Sequence, residues 1–281
     1  MLGLPRTGKS TFIAALWHVL ESGELENSLA LDQFEGNREY VNSLQTSWLE
    51  FKQLERTVLT EGFTAVKLPL RIPGKGKGAL LIPDLSGEEY QNIWLNRSCP
   101  LYLAEFVSVA QGILLFIHPG TVTEPQALAK VNAVVEEFAD DVELGPDAEE
   151  ERLPEWDLQK SPTQVALVEL LQFLTQDLGV AIPTKVAVII SAWDTVTKNE
   201  EISPQSWLAK YLPLLAQFLD ANSDSFEREV FGISAQGGVL PDDKEQLMKC
   251  VTASERIRVS FRGQKSNDIT LPIRWAMGHE G

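Results

Sequence analysis

The nine residues Gly3 to Thr11, GLPRTGKST, constrain this chain more than any other stretch. A glycine, four free positions and then Gly8-Lys9-Ser10 form a P-loop pattern. The glycines let backbone N–H groups face a phosphate at a helix N-terminus. The lysine reaches the outer phosphates, and the serine hydroxyl is placed to ligate Mg²⁺. The pattern requires a helix behind it. Thr11 to Glu21, TFIAALWHVLE, has apolar residues at helical spacing and supplies that helix. It also requires a buried strand in front, and here only Met1 and Leu2 precede the loop.

The rest of the chain alternates strand and helix signals. Thr64–Ile72 alternates like a strand, PGKGKG reads as a turn, and Ala79–Pro83 as a short buried strand. Glu88–Ala110 carries an apolar-periodic helix broken near Pro100. Gly112–His118 is a further strand, and Glu124–Ala139 is expected to be helical. Ser161-Pro162 caps a helix that runs to Leu178 and stops at Gly179. Lys185–Ser191 and Glu229–Ser234 read as buried strands. Between them Ser203–Asp220 forms a helix kinked at Pro213. DITLPIRWAMGH suggests a short last helix. This alternation predicts an α/β fold, a P-loop NTPase with a mostly parallel central sheet flanked by helices. We expect one domain over residues 1–281, with insertions at about 22–62 and 139–160.

Composition narrows the function. The formal net charge is −16, so phosphate polymers are repelled, and neither broad nucleic-acid binding nor an anionic membrane surface is expected. The longest apolar run, Gly112–Gly120, is too short to span a bilayer. With a phosphate loop beginning at residue 3, no secretory leader is expected. Two cysteines, Cys99 and Cys250, fit a reducing, cytoplasmic location. The three histidines, His18, His118 and His279, are scattered and read as structural. The acidic run Asp140–Asp157 reads as a solvated loop.

Three later stretches carry chemistry. In LLIPDLSGEE, Asp84 follows a buried strand and Gly87 comes three residues later. That is the place for an acid behind Mg²⁺ and for a glycine N–H near the γ-phosphate. VAVIISAWD ends at Asp194, and VFGISAQGG contains Ser234-Ala235-Gln236. Both lie at the carboxyl ends of strands, where ligands bind in open α/β sheets.

This ordered set resembles the signature of Ras-like (TRAFAC-type) P-loop GTPases: P-loop, Asp-x-x-Gly, Asn-Lys-x-Asp, Ser-Ala-Lys. Within them it is most similar to the bacterial double-GTPase family, on the tail DITLPIRWA and the long segment before Thr57. The resemblance implies that Gly3, Pro5, Arg6, Thr7, Gly8, Lys9, Ser10 and Thr11 surround the phosphates of GTP or GDP. Lys9 would bind the β- and γ-phosphates. Ser10 and Asp84 would serve Mg²⁺ together with a switch threonine, Thr57 or Thr60. Gly87 would sense the γ-phosphate. Asp194 would accept from guanine N1 and N2, and the Ala235 N–H would donate to O6, with Ser191, Ser234 and Gln236 beside them. The resemblance also implies a slow GTP-hydrolysing switch acting through a protein effector in a bacterial conflict or defence setting. A non-hydrolysing nucleotide-dependent module and a P-loop ATPase are the alternatives.

The chain departs from that signature in four ways. Ser191-Ala192 stands where Asn-Lys is expected, removing the lysine stem that covers the base. Glu88, in place of glutamine, could orient water yet would repel the γ-phosphate, so catalysis should be slow. Pro5 crowds the space for an inserted arginine, leaving Arg6 and Arg56 as basic candidates in the same chain. A first strand needs roughly five residues and two are present, so the native chain is expected to begin upstream of Met1.

Overall fold

The computed structural model describes residues 1–26, 28–33, 38–52, 54, 65–72, 76–83, 85, 87–125 and 161–279. Two runs of strands build the centre. β1 (Ala30–Leu31), β2 (Ala65–Ile72) and β3 (Gly76–Pro83) form an antiparallel sheet, with Leu68 opposite Leu80. β4 (Gly112–Ile117), β5 (Thr184–Ser191) and β6 (Phe226–Ser234) pair in parallel, with Leu115 beside Val188 and Val188 beside Val230. β7 (Arg258–Phe261) and β8 (Gln264–Ser266) extend this second sheet antiparallel. The parallel pairing expected from sequence therefore occupies the middle, and both flanks are antiparallel.

Met1 and Leu2 lie between the two sheets. The Leu2 N–H donates to the Leu114 carbonyl, and Phe116 N–H donates to the Leu2 carbonyl, both at 2.8 Å. On the other side the Met1 nitrogen donates to the Leu81 carbonyl at 2.8 Å. The P-loop thus emerges from the slot between β3 and β4, at the position where a central strand would deliver it.

Period-two alternation sends side chains to two faces. Leu114, Phe116, Ala187 and Ile189 pack with α1 (Lys9–Ser22), α2 (Arg38–Leu49) and the last helix, α10 (Leu271–Ala276). Ile113, Leu115, Ile117, Val186, Val188 and Ile190 pack on the opposite face. There they meet α3 (Gly87–Asn96), α4 (Leu101–Ser108), α5 (Thr163–Gln172), α7 (Pro204–Tyr211) and α8 (Pro213–Ala221). Burying one such aliphatic side chain contributes about 1.5–3 kcal/mol, so both layers are strongly driven. Two short helices, α6 (Trp193–Thr197) and α9 (Lys244–Leu247), complete the described α-helices, and single helical turns lie at Pro119–Thr121, Phe173–Asp177 and Ala253–Arg256.

Local signals account for most boundaries. Gly8 and Gly23, both at positive φ, bracket α1. The expected helix over 88–110 is two helices, separated by Arg97–Pro100. Pro213 divides α7 from α8, as its ring demands. Glu124 and Pro125 are not helical, which corrects the expected start of a helix at Glu124; its remaining residues, from 126 on, lie outside the described set. Gly76–Gly78, read as part of a turn, belong to β3. In the first expected insertion, Val41, Leu44 and Trp48 are buried in the core. No helix among the described residues is long and apolar enough to cross a membrane.

Candidate functional site

The site is assembled from the P-loop and the carboxyl ends of β4, β5 and β6. Gly3 is obligatory: a Cβ there would sit 2.7 Å from the Phe116 carbonyl oxygen, at φ +150°. Gly8 opens α1 at φ +83°, and a Cβ on it would lie 3.0 Å from Ser191 Oγ. Arg6 also has positive φ, at +64°. These left-handed turns point the backbone toward a single concavity, the geometry of an anion nest.

Side chains brace the loop from within. Lys9 Nζ donates to the Gly3 carbonyl at 2.7 Å and the Leu4 carbonyl at 2.8 Å. It also reaches Thr7 Oγ1 at 3.2 Å, while that buried hydroxyl donates to the Leu4 carbonyl at 2.8 Å. From α3, the Tyr90 hydroxyl donates to the Gly3 carbonyl at 2.6 Å and accepts from the Gly3 N–H at 3.3 Å. Tyr90 is buried, and burial pushes its phenol above the usual tyrosine range, so it stays a donor.

Two cavities meet over this loop. The larger, about 980 Å³, is lined by Pro5 through Thr11 and by Tyr40, Leu54, Ile82, Pro83 and Leu85. The smaller, about 350 Å³, is lined by Phe12, Phe116, Ser191, Ala192, Asp194, Ser234 and Ala235. Gly8, Thr11, His118, Gln236 and Gly238 line both, so the two form one continuous trough.

The smaller cavity is polar at one end. Asp194, in α6, is 5% exposed. Its Oδ1 accepts from the Ser234 hydroxyl, and that oxygen in turn accepts from Gly237 N–H at 3.1 Å. Asp194 Oδ2 is buried with no hydrogen-bond partner, and so is Gln236 Nε2. A buried polar atom without a partner costs about 1–3 kcal/mol, and both residues line the smaller cavity. Ala192 precedes Asp194 at φ +47°. Trp193 lies flat under Gly232, where a Cβ would be 2.4 Å from the indole. The Trp48 indole N–H donates to the Ala235 carbonyl at 3.0 Å.

The structure thus brings together Pro5, Arg6, Thr7, Gly8, Lys9, Ser10 and Thr11 with Ser191, Asp194, Ser234, Ala235 and Gln236 around one trough, and Gly3 is held behind it through Lys9. Gly87 opens α3, and Glu88 follows it in the same helix. The Glu88 side chain, Asp84, Arg56, Thr57 and Thr60 lie outside the described residues. Of the expected Mg²⁺ ligands, Ser10 is the one described, and it lines the larger cavity. The donor set fits a nucleotide: a glycine turn packed too tightly for side chains, a lysine lining the larger cavity, and an unpartnered acceptor on a residue lining the smaller one.

Two braces of the site carry no local sequence signal: Tyr90 and Trp48 act across 87 and 187 positions. His118 follows β4 and lines both cavities.

A family model described as Double-GTPase 1 matches residues 1–276. No curated protein matches the chain.

Proposed function

The chain belongs to the Double-GTPase 1 family, and from that premise we propose that it binds GTP and GDP along the trough and hydrolyses GTP slowly. Membership implies guanine-nucleotide binding. The observation that carries it is Asp194 Oδ2, buried and unpartnered at the end of a cavity that opens onto the P-loop. Guanine presents two N–H donors, at N1 and N2, to such an acceptor. Adenine presents none there. The Ala235 N–H then supplies the complementary donor for O6, on a loop fixed by Ser234 and Trp48.

At the other end Lys9 brings its charge to the β- and γ-phosphates, and the N–H groups at the start of α1 line the anion path. Ser10, Asp84 and Thr57 would hold Mg²⁺, which neutralises charge building between those phosphates. Gly87 and Glu88 open α3, so a γ-phosphate contact there would be felt by Tyr90 and through it by Gly3. Glu88 orients the attacking water. We read residues 1–281 as one domain, and the two switch segments, around Thr57 and Asp84–Glu89, as the surface offered to a protein effector.

Calorimetry with GTP, GDP and ATP, in the presence of Mg²⁺ and beside Asp194→Ala, tests the reading. We expect GTP and GDP to bind, ATP not to, and the variant to lose the discrimination. Equal binding of ATP would sink the guanine assignment. Single-turnover phosphate release from bound GTP separates a slow enzyme from a binding module.

A further inference from the structure

His118 follows the last residue of β4, between the P-loop and the end of β5. Its Nδ1 accepts from the Gly120 N–H at 3.0 Å, closing the turn Pro119–Thr121. Gly120 leaves room for this: a Cβ there would be 3.2 Å from His118 Cε1. With Nδ1 committed as an acceptor, the neutral ring carries its proton on Nε2. The half-buried imidazole lines both cavities and so stands where they join.

We propose that His118 contacts the bound nucleotide at the junction of sugar and base, offering its ring face and an Nε2–H donor to the hydroxyl and ring-nitrogen acceptors there. The proposal rests on the guanine-nucleotide reading above and goes beyond it, since no part of the GTPase signature assigns this position. Three observations carry it. The phosphate end of the trough is occupied by Lys9 and the base end by Asp194, and the ring lies in the wall common to both. Ala192, at the start of α6 where the GTPase signature has a lysine, leaves that wall without a long side chain. Burial lowers the His118 pKa; the Asp194 charge opposes this and the Arg6 charge adds to it. The ring is therefore an uncharged donor at neutral pH, suited to uncharged acceptors rather than to a phosphate.

His118→Asn is the informative variant. Its amide oxygen can keep the Gly120 N–H satisfied, while the ring face and the Nε2 donor are lost. We expect the dissociation constants for GDP and GTP to rise about tenfold each, which corresponds to about 1.4 kcal/mol. Their ratio should be unchanged, because the contact lies on the part both ligands share. Thermal stability without nucleotide should stay at the wild-type value, and in wild type the histidine Nε2–H NMR signal should shift on adding GDP. Wild-type affinities in His118→Asn would overturn the proposal. So would a loss for GTP alone, which would put the ring against the γ-phosphate. Failure of wild type to bind GDP would be a different result: it would remove the guanine reading and this proposal with it.

Discussion

The Trp48 indole N–H donates to the carbonyl oxygen of Ala235 at 3.0 Å, across 187 positions of the chain. Trp48 is fully buried at the end of α2, and the Arg256 guanidinium stacks on its ring 3.9 Å from the centroid. Ala235 belongs to the loop after β6 that lines the smaller cavity. The end of α2 is therefore tied directly to that loop.

Trp48→Phe keeps most of the buried ring and removes the donor. The Ala235 carbonyl is then left buried without that partner, at a cost of about 1–3 kcal/mol. We expect urea unfolding to report a loss in that range. GDP dissociation, followed by stopped flow, should accelerate several-fold while the association rate stays close to wild type. An unchanged off-rate would show that the loop is held by Ser234 and Gly237 alone.

Tyr90→Phe addresses the opposite wall. The hydroxyl is shared between the Gly3 N–H and carbonyl, and Lys9 Nζ meets the same carbonyl at 2.7 Å. Losing the hydroxyl leaves Lys9 bound more loosely to a more mobile Gly3. We expect a stability loss of about 1–3 kcal/mol and a weaker affinity for GTP than for GDP relative to wild type, because α3 no longer transmits γ-phosphate contact to the loop. Equal losses for both nucleotides would reduce Tyr90 to a packing residue.

Glycine spacing, helix starts and β-branched runs are local properties, and the elements they encode were legible. The P-loop, α1, β5, β6 and the Pro213 break all lie within a few residues of their expected bounds. The hairpin of β7 and β8 was not legible: its strands have four and three residues, and its turn at Arg262-Gly263 uses an arginine at φ +47°. β1 has two residues and exists only through its pairing with β2. Among the described residues, the P-loop and the strand-end residues Ser191, Asp194 and Ser234–Gln236 could be located in the sequence one by one. The braces between them, Tyr90 on Gly3 and Trp48 on Ala235, join α3 and α2 to loops that no periodicity relates to them. Gly232 looked like an ordinary strand glycine until Trp193 lay against it.

Glu24 sets an acid limit on stability. Burial pushes its carboxyl up, but hydrogen bonds from Ser254 and His18 outweigh this and hold it below the usual glutamate range. Ser254 N–H donates at 2.9 Å and His18 Nε2 lies at 3.0 Å, tying the end of α1 to the turn Ala253–Arg256. A carboxyl with a depressed folded pKa contributes stability that is present above its unfolded value, about 4.3, and is lost as pH falls through the folded one. Glu24→Gln should therefore flatten the melting temperature between roughly pH 5 and pH 3, with a lower value at pH 7. Parallel curves for variant and wild type would remove Glu24 from the acid transition.

Asp194→Ala should separate stability from binding. In the free protein its Oδ2 is buried and unpartnered, so the side chain is held at a cost that ligand contact would relieve. Ser234 loses an acceptor in the variant but keeps its contact with Gly237 N–H. These two effects have similar size and opposite sign, so the free variant should melt within about 1 kcal/mol of wild type. GDP is expected to raise the melting temperature of wild type by more than that of the variant. A free variant destabilised by several kcal/mol, with GDP protecting it as fully as wild type, would make Asp194 a structural residue and leave the smaller cavity without its reader.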